Sequence, residues 1–168
     1  MAEIPSTPAD GYVAVRALPA VANLDAPTLA EWNAGIDISC YLTSDGYTPS
    51  VDQQVATDER LCSTQVFEQP GRITNSLDLI YIDNTNSPNE ETDNKAKDTL
   101  VPGSEHVIGV RRGMPYEAAA ATGQKVTLFP VKPGVYSELP GEANSVLKIG
   151  QKQFVTGPVS RSVALAAA

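Results

Sequence analysis

Apolar and polar positions alternate with a period of two across residues 36–43: Ile36, Ile38, Cys40 and Leu42 fall on one face, Asp37, Ser39, Tyr41 and Thr43 on the other. This is the pattern of a half-buried strand, predicted over residues 37–42. A preceding strand is predicted over residues 11–17, with Val13 and Val15 opposed to Tyr12 and Arg16. Residues 76–82 place Leu77, Leu79 and Tyr81 together, and residues 106–112 are apolar on both faces through Val107, Ile108 and Val110, as in a central strand. Further strands are predicted over residues 125–131, about 146–155, and, with weaker alternation, within 58–67.

Helical punctuation appears in NLDAPTLAEWNAG, residues 23–35, with Asp25 as N-cap, Pro27 near the first turn and Gly35 as C-cap. A second short helix is predicted near residues 94–100, and the tail 158–168 has no pattern of its own. Residues 44–57 carry a turn signal at Asp45-Gly46 and a proline at 49, but no core pattern, and so read as a long polar loop. A structureless segment of that length is more easily explained by a partner than by an isolated domain, which makes Thr48, Val51, Gln53 and Gln54 candidate subunit contacts. The expected fold is all-β, a sandwich or barrel of about seven strands with one or two short helices. It occupies a single domain over residues 1–168, with a flexible N-terminal arm over residues 1–10 containing Pro5 and Pro8. The expected core is Val13, Val15, Ile38, Cys40, Leu42, Leu77, Leu79, Val107, Val110, Val126 and Leu128.

Thirteen prolines and twelve glycines in 168 residues fit many turns between short strands. The net charge of −8 argues against tight non-specific binding of nucleic acid. No basic segment followed by an apolar run opens the chain, and nowhere do about 18 consecutive apolar residues occur, so neither a signal peptide nor a membrane span is expected. The two cysteines, Cys40 and Cys62, form no CxxC pair and are expected to be reduced core residues.

Little in the chain points to catalysis. His106 is the sole histidine, which leaves no multi-histidine metal site, and the adjacent Ser104, Glu105 and His106 lack a nucleophile elbow. Phosphate-cradling glycine motifs are absent. Asp83, Asn84, Asn86, Asn89, Glu90, Glu91 and Asp93 offer oxygens to calcium, yet without EF-hand spacing they read better as a solvated loop. Arg111, Arg112 and Lys125 are expected to pair with an acidic neighbour, on this chain or another subunit. No catalytic residue, cofactor or metal is expected.

The order DISCYLT, a glycine-containing turn, a polar segment, DERLCSTQVFEQPGR, SLDLIYIDN, VIGVRRGMPY and GQKVTLFPV resembles the major tail proteins, or tail tube proteins, of long-tailed phages that infect actinobacteria. The opening AVRALPAVANLDAPTLAEWNAG is similar as well, and the resemblance spans about residues 13–155. It implies a virion subunit, made in the host cytoplasm, that forms rings, usually hexameric, stacked into a hollow tube. Its implied partners are further copies of itself and the tape measure, tail terminator and distal tail proteins, with DNA passing through the lumen without specific binding. An extended loop, here residues 44–57, is then expected at an inter-ring interface. Asp37, Ser39, Asp58, Glu59 and Asp78, from the polar faces of the predicted strands, are the candidates for lining the lumen, because a basic lining would hold the duplex by its phosphates. Two other readings remain open at this point. One is another virion β-protein, such as a head decoration or tail terminator subunit, and the other is a carbohydrate-binding β-sandwich.

Overall fold

The computed structural model describes residues 3–167. Met1 and Ala2, the first two residues of the expected N-terminal arm, lie outside the described residues. Eight strands form a single antiparallel sheet: Val13–Leu18 (β1), Ile36–Asp37 (β2), Leu42–Asp58 (β3), Phe67–Ile82 (β4), His106–Arg112 (β5), Lys125–Glu138 (β6), Lys148–Val155 (β7) and Ser160–Ala164 (β8). Their order is β2-β1-β5-β6-β7-β4-β3, with β8 added on β6.

The 14-residue β6 is the strand about which this sheet folds over. One of its edges pairs with β5, while the other takes β8 along its first half and β7 along its second, with a register irregularity between Pro133 and Tyr136. Side chains from strands four places apart in the order therefore meet. Val15 and Ala17 of β1 share one core with Ile108 and Val110 of β5, Phe129 and Val131 of β6, Ile149 of β7, and Leu77, Leu79 and Tyr81 of β4. The strong apolar alternation of residues 76–82 is thus spent on a curled sheet closing over its own inner face.

The outer face of β5 is covered by the helix Leu29–Ala34 (α1). Thr28, not Asp25, caps it: the Thr28 hydroxyl accepts from the Glu31 amide, and the Glu31 carboxylate accepts from the Thr28 amide at 2.7 Å. Glu31 also accepts from the Ala22 amide at 2.7 Å, and these backbone donors hold its pKa below the usual carboxylate value. Asp25 instead accepts from the Ser160 hydroxyl, tying the helix entry to β8. Gly35 ends the helix as expected. The buried Trp32 lies flat on β5, where only a glycine fits: a Cβ on Gly109 would come within 2.8 Å of the indole. With Val126, Leu128 and Leu165 it forms a second, smaller core.

Several sequence expectations change. Residues 37–42 do not form one strand; β2 stops at Asp37 and Ser39–Tyr41 is a 3-10 turn, which buries Ile38 and turns Cys40 out to solvent. Cys62 is also exposed, so neither cysteine belongs to the core, although both are free thiols. Val13, Leu42 and Val107 are only partly buried, at the margins of the two cores. The featureless tail supplies β8, and Leu165 plugs the second core. The helix predicted near residues 94–100 is present as Lys95–Thr99 (α2), with Ala96 and Leu100 reaching the main core. No helix among the described residues is long and apolar enough to cross a membrane.

Candidate assembly interface

The largest correction concerns residues 44–57 and 58–67. The first segment, read as a loop, is most of the 17-residue strand β3, and the second, read as a strand, holds the turn of residues 59–66 that joins β3 to the 16-residue β4. Together they make a long hairpin paired from Leu42 and Tyr81 at its foot to Asp58 and Phe67 at its tip. Only residues 77–82 of β4 have a second neighbour, β7; from Ser76 outward the hairpin is a two-stranded ribbon, which Arg161 of β8 touches by donating to the Asn75 side chain. Two-stranded ribbons are marginal in water without a further partner.

Glycines sit at both irregularities of the ribbon. A Cβ on Gly46 would lie 2.1 Å from the Ile80 carbonyl oxygen, and one on Gly71 would lie 2.7 Å from that of Gln54, so the Asp45-Gly46 pair marks a bulge rather than a reversing turn. Pro49 and Pro70 are tolerated because each belongs to a strand with a free edge at that point. At the foot, the Thr43 hydroxyl donates to Asp45 at 2.7 Å and lowers the pKa of that carboxyl.

Register divides the ribbon into two unlike faces. Leu77, Leu79 and Tyr81 are 0% exposed in the main core, and the same face continues outward through Ile73, Val51 and Val55, which are 56%, 54% and 58% exposed. The apolar side of the sheet thus runs past the end of its own core. The opposite face is polar: Thr48 stands opposite Asp78, Ser50 opposite Ser76 and Asp52 opposite Thr74. Two cations lie along it, Arg72 two residues beyond Thr74 on β4 and Lys152 of β7 directly across from Asp78. Beyond the ribbon, the tip exposes Leu61, Val66 and Phe67.

All four expected contact residues, Thr48, Val51, Gln53 and Gln54, lie on this hairpin and are exposed. Val51 and Gln53 share the apolar face, and Thr48 the polar one. The five acidic and polar candidates for a lumen, by contrast, fall in three places. Asp37 and Ser39 lock the 3-10 turn to β1: the Ser39 hydroxyl donates to Asp37 at 2.6 Å and accepts from the Val15 amide at 2.9 Å, with Arg16 3.8 Å from the Asp37 carboxylate. Asp58 and Glu59 sit at the hairpin tip, and Asp58 pairs with Arg60 at 2.8 Å. Asp78 alone stands on the polar face of the ribbon. Sequence reasoning passed over Asp52 and Ile73, although the alternation of Val51, Gln53 and Val55 was a visible strand signal.

The basic group after mid-chain does not behave as expected either. Arg111 is buried, and its guanidinium donates to the carbonyls of Pro115, Tyr116 and Ala118 and to the side chain of Gln124, pinning the loop before β6 with no carboxylate involved. Burial lowers its pKa. In the acidic loop, Asp83 accepts from the Thr85 amide at 3.1 Å and pairs with Lys97 at 3.3 Å, which together hold its pKa down against burial. Among the described residues, no cluster of acidic, histidine or cysteine side chains is arranged to hold a metal ion.

Curled sheet, protruding hairpin and an apolar face open to water mark an all-β protein. The profile of the phage tail tube proteins matches residues 1–168, and the chain belongs to that family, a structural component of the phage tail. A chain in the solved structure "Cryo-EM structure of the anti-feeding prophage (AFP) baseplate, 6-fold symmetrised" has the same fold. The TM-score is 0.56 at 11% identity, over 95% of this chain and 99% of that one. At that identity the likeness concerns the fold alone. No curated protein sequence matches the chain.

Proposed function

We propose that this chain, folded as one domain, assembles into rings that stack through the β3–β4 hairpin into the tail tube, the conduit for phage DNA. The observation that carries this reading is the hairpin itself, two long strands that leave the body with their apolar face uncovered. A hexameric ring is the closing number, by analogy with the sixfold baseplate that contains the chain of like fold. The subunit has no reaction to perform; its partners are other copies and the tape measure, terminator and distal tail proteins that bound a tube. A phage of actinobacteria is the source implied by the sequence blocks.

For the lumen, we assign Asp78 together with Asp52, Thr48 and Ser50, since these share one polar face of a sheet that neighbouring copies would extend edge to edge along the free edge of β3. Such an extension also removes an exposed edge that otherwise invites uncontrolled pairing. Carboxylates and hydroxyls there let a duplex slide where lysines would hold it. The test is to remove residues 51–58 together with 67–75, which shortens both strands and leaves the turn in place. The shortened protein should stay folded by circular dichroism and show no tubes by negative-stain microscopy under conditions where the full chain polymerises. Normal tubes from the shortened protein would overturn the reading.

A further inference from the structure

A groove of about 410 Å³ opens at the foot of the hairpin, lined by Val13, Leu42, Tyr47, Tyr116 and Cys40, with Ala9 and Asp10 of the N-terminal segment along one side. A second hollow adjoins it, sharing Ala9 and Val13 and bringing in Arg112. Neither is filled by a side chain of the described residues. At the far end of the same hairpin, Leu61 is fully exposed, and Glu59 beside it makes no salt bridge among the described residues. Foot and tip are separated by the paired stretch from Tyr47 to Asp58, about 35 Å at the rise of an extended strand.

Resting on the tube reading above, we infer that this groove receives the hairpin tip of a second copy of the chain, with Leu61 of one copy seated among Val13, Tyr47 and Tyr116 of the next. Two observations single out a second copy as the occupant. First, an open polymer requires two different surfaces on each subunit that match one another without closing, and an apolar knob and an apolar groove at opposite ends of one hairpin meet that requirement. Second, a charge pair is available: the tip brings the unpaired Glu59, and the hollow adjoining the groove brings Arg112, which also makes no salt bridge among the described residues, with Asp10 on the groove's other side. Burial raises the Tyr47 pKa, while Arg112 and Arg161 nearby oppose that rise, so two cations act on the Tyr47 wall of the groove.

The two cysteines supply the test, since Cys62 follows Leu61 on the tip and Cys40 lines the groove, both exposed and free. A short bismaleimide added to assembled tubes should give a ladder of covalent dimers, trimers and higher multiples, because each copy offers a tip thiol to one neighbour and a groove thiol to another, and each thiol adds to one maleimide of the linker. Tubes mixed from Cys40→Ser and Cys62→Ser chains should stop at dimers, and tubes of either variant alone should give no linked species. Dimers in Cys40→Ser tubes would mean tip-to-tip pairing and would overturn the inference. Separately, Leu61→Glu, at a position that packs on nothing in the isolated chain, should leave folding intact and raise the concentration needed for polymerisation roughly tenfold or more. Tubes that form but yield no ladder, or a Leu61→Glu chain that polymerises like the parent, would overturn the groove assignment and leave the tube reading standing. A parent chain that forms no tubes at all would remove both.

Discussion

The inner and outer halves of β4 belong to one strand, yet they are held by different means. Leu77, Leu79 and Tyr81 close the core, whereas Ile73, farther out on the same face, stands half in water. The inner half has β7 and β3 as neighbours; the outer half has β3 alone. What separates them is where their apolar area goes: the inner half is buried on folding, and the outer half stays open to water in the single chain. The body should therefore respond to substitution through stability, and the hairpin through assembly.

The sharpest contrast should come from two truncations on that one face. Leu79→Ala should cost about 2–5 kcal/mol of folding stability in chemical denaturation, the usual range for a fully buried leucine. Ile73→Ala should change monomer stability by less than about 0.5 kcal/mol while weakening tube formation, since surface positions rarely matter to folding. If Ile73→Ala destabilised the monomer as much as Leu79→Ala, the division would collapse.

A smaller effect should appear with pH. His106 in β5 is pushed below its ordinary pKa of 6.5 by burial, which outweighs the approach of the Thr99 backbone. The folded state thus binds fewer protons at this site than the unfolded chain. Its contribution is present above pH 6.5 and is lost as pH falls from there through the lowered folded value. The melting temperature should decline over that interval, and His106→Asn should flatten the decline. Loss of stability from carboxylates held low, such as Glu31 and Asp83, belongs to a more acidic range, as pH falls below their ordinary values of 4.5 and 3.8 toward the lowered folded ones. An unchanged slope in the variant would place the titration elsewhere.

The polar face offers a gentler probe. Replacing Asp52 and Asp78 together by Lys should leave tubes that assemble but retain DNA at low salt, with affinity falling steeply as salt rises. Asp37 and Asp58 are poorer choices for this purpose, since the first holds the 3-10 turn and the second an arginine at the tip. Assembled tubes of the variant that ignore DNA would place this face on the tube exterior.

The difference between the two regions also explains which parts of the fold were legible in the sequence. A strand that buries one face against the core, such as residues 76–82, shows its period plainly, the apolar run of residues 106–112 marks a strand covered on both faces, and Gly35 marks a helix end. The hairpin hides its period because both faces are wet in a single chain: Val51 and Val55 alternate, but Pro49 and Asp45-Gly46 signal a turn and the rest is polar. Cys40 fitted the alternation of residues 36–42 only because that segment was taken as fully extended; the 3-10 turn rotates it outward. The cap at Thr28 was readable as a T-x-x-E box, and the nearer proline drew attention to Asp25 instead. The acids proposed for a lumen were chosen residue by residue, without a register to show that they lie in three places.

Hydrogen exchange of the hairpin amides, compared between monomer and assembled tubes, tests the central claim most directly. Amides of residues 48–58 and 67–76 should exchange quickly in the monomer, where the ribbon has free edges and no third strand, and become strongly protected in tubes. Those of residues 77–82 and 106–112 should be protected in both states. Equal protection of the hairpin in monomer and tube would contradict the account, because it would mean that the ribbon is held by its own chain rather than by its neighbours.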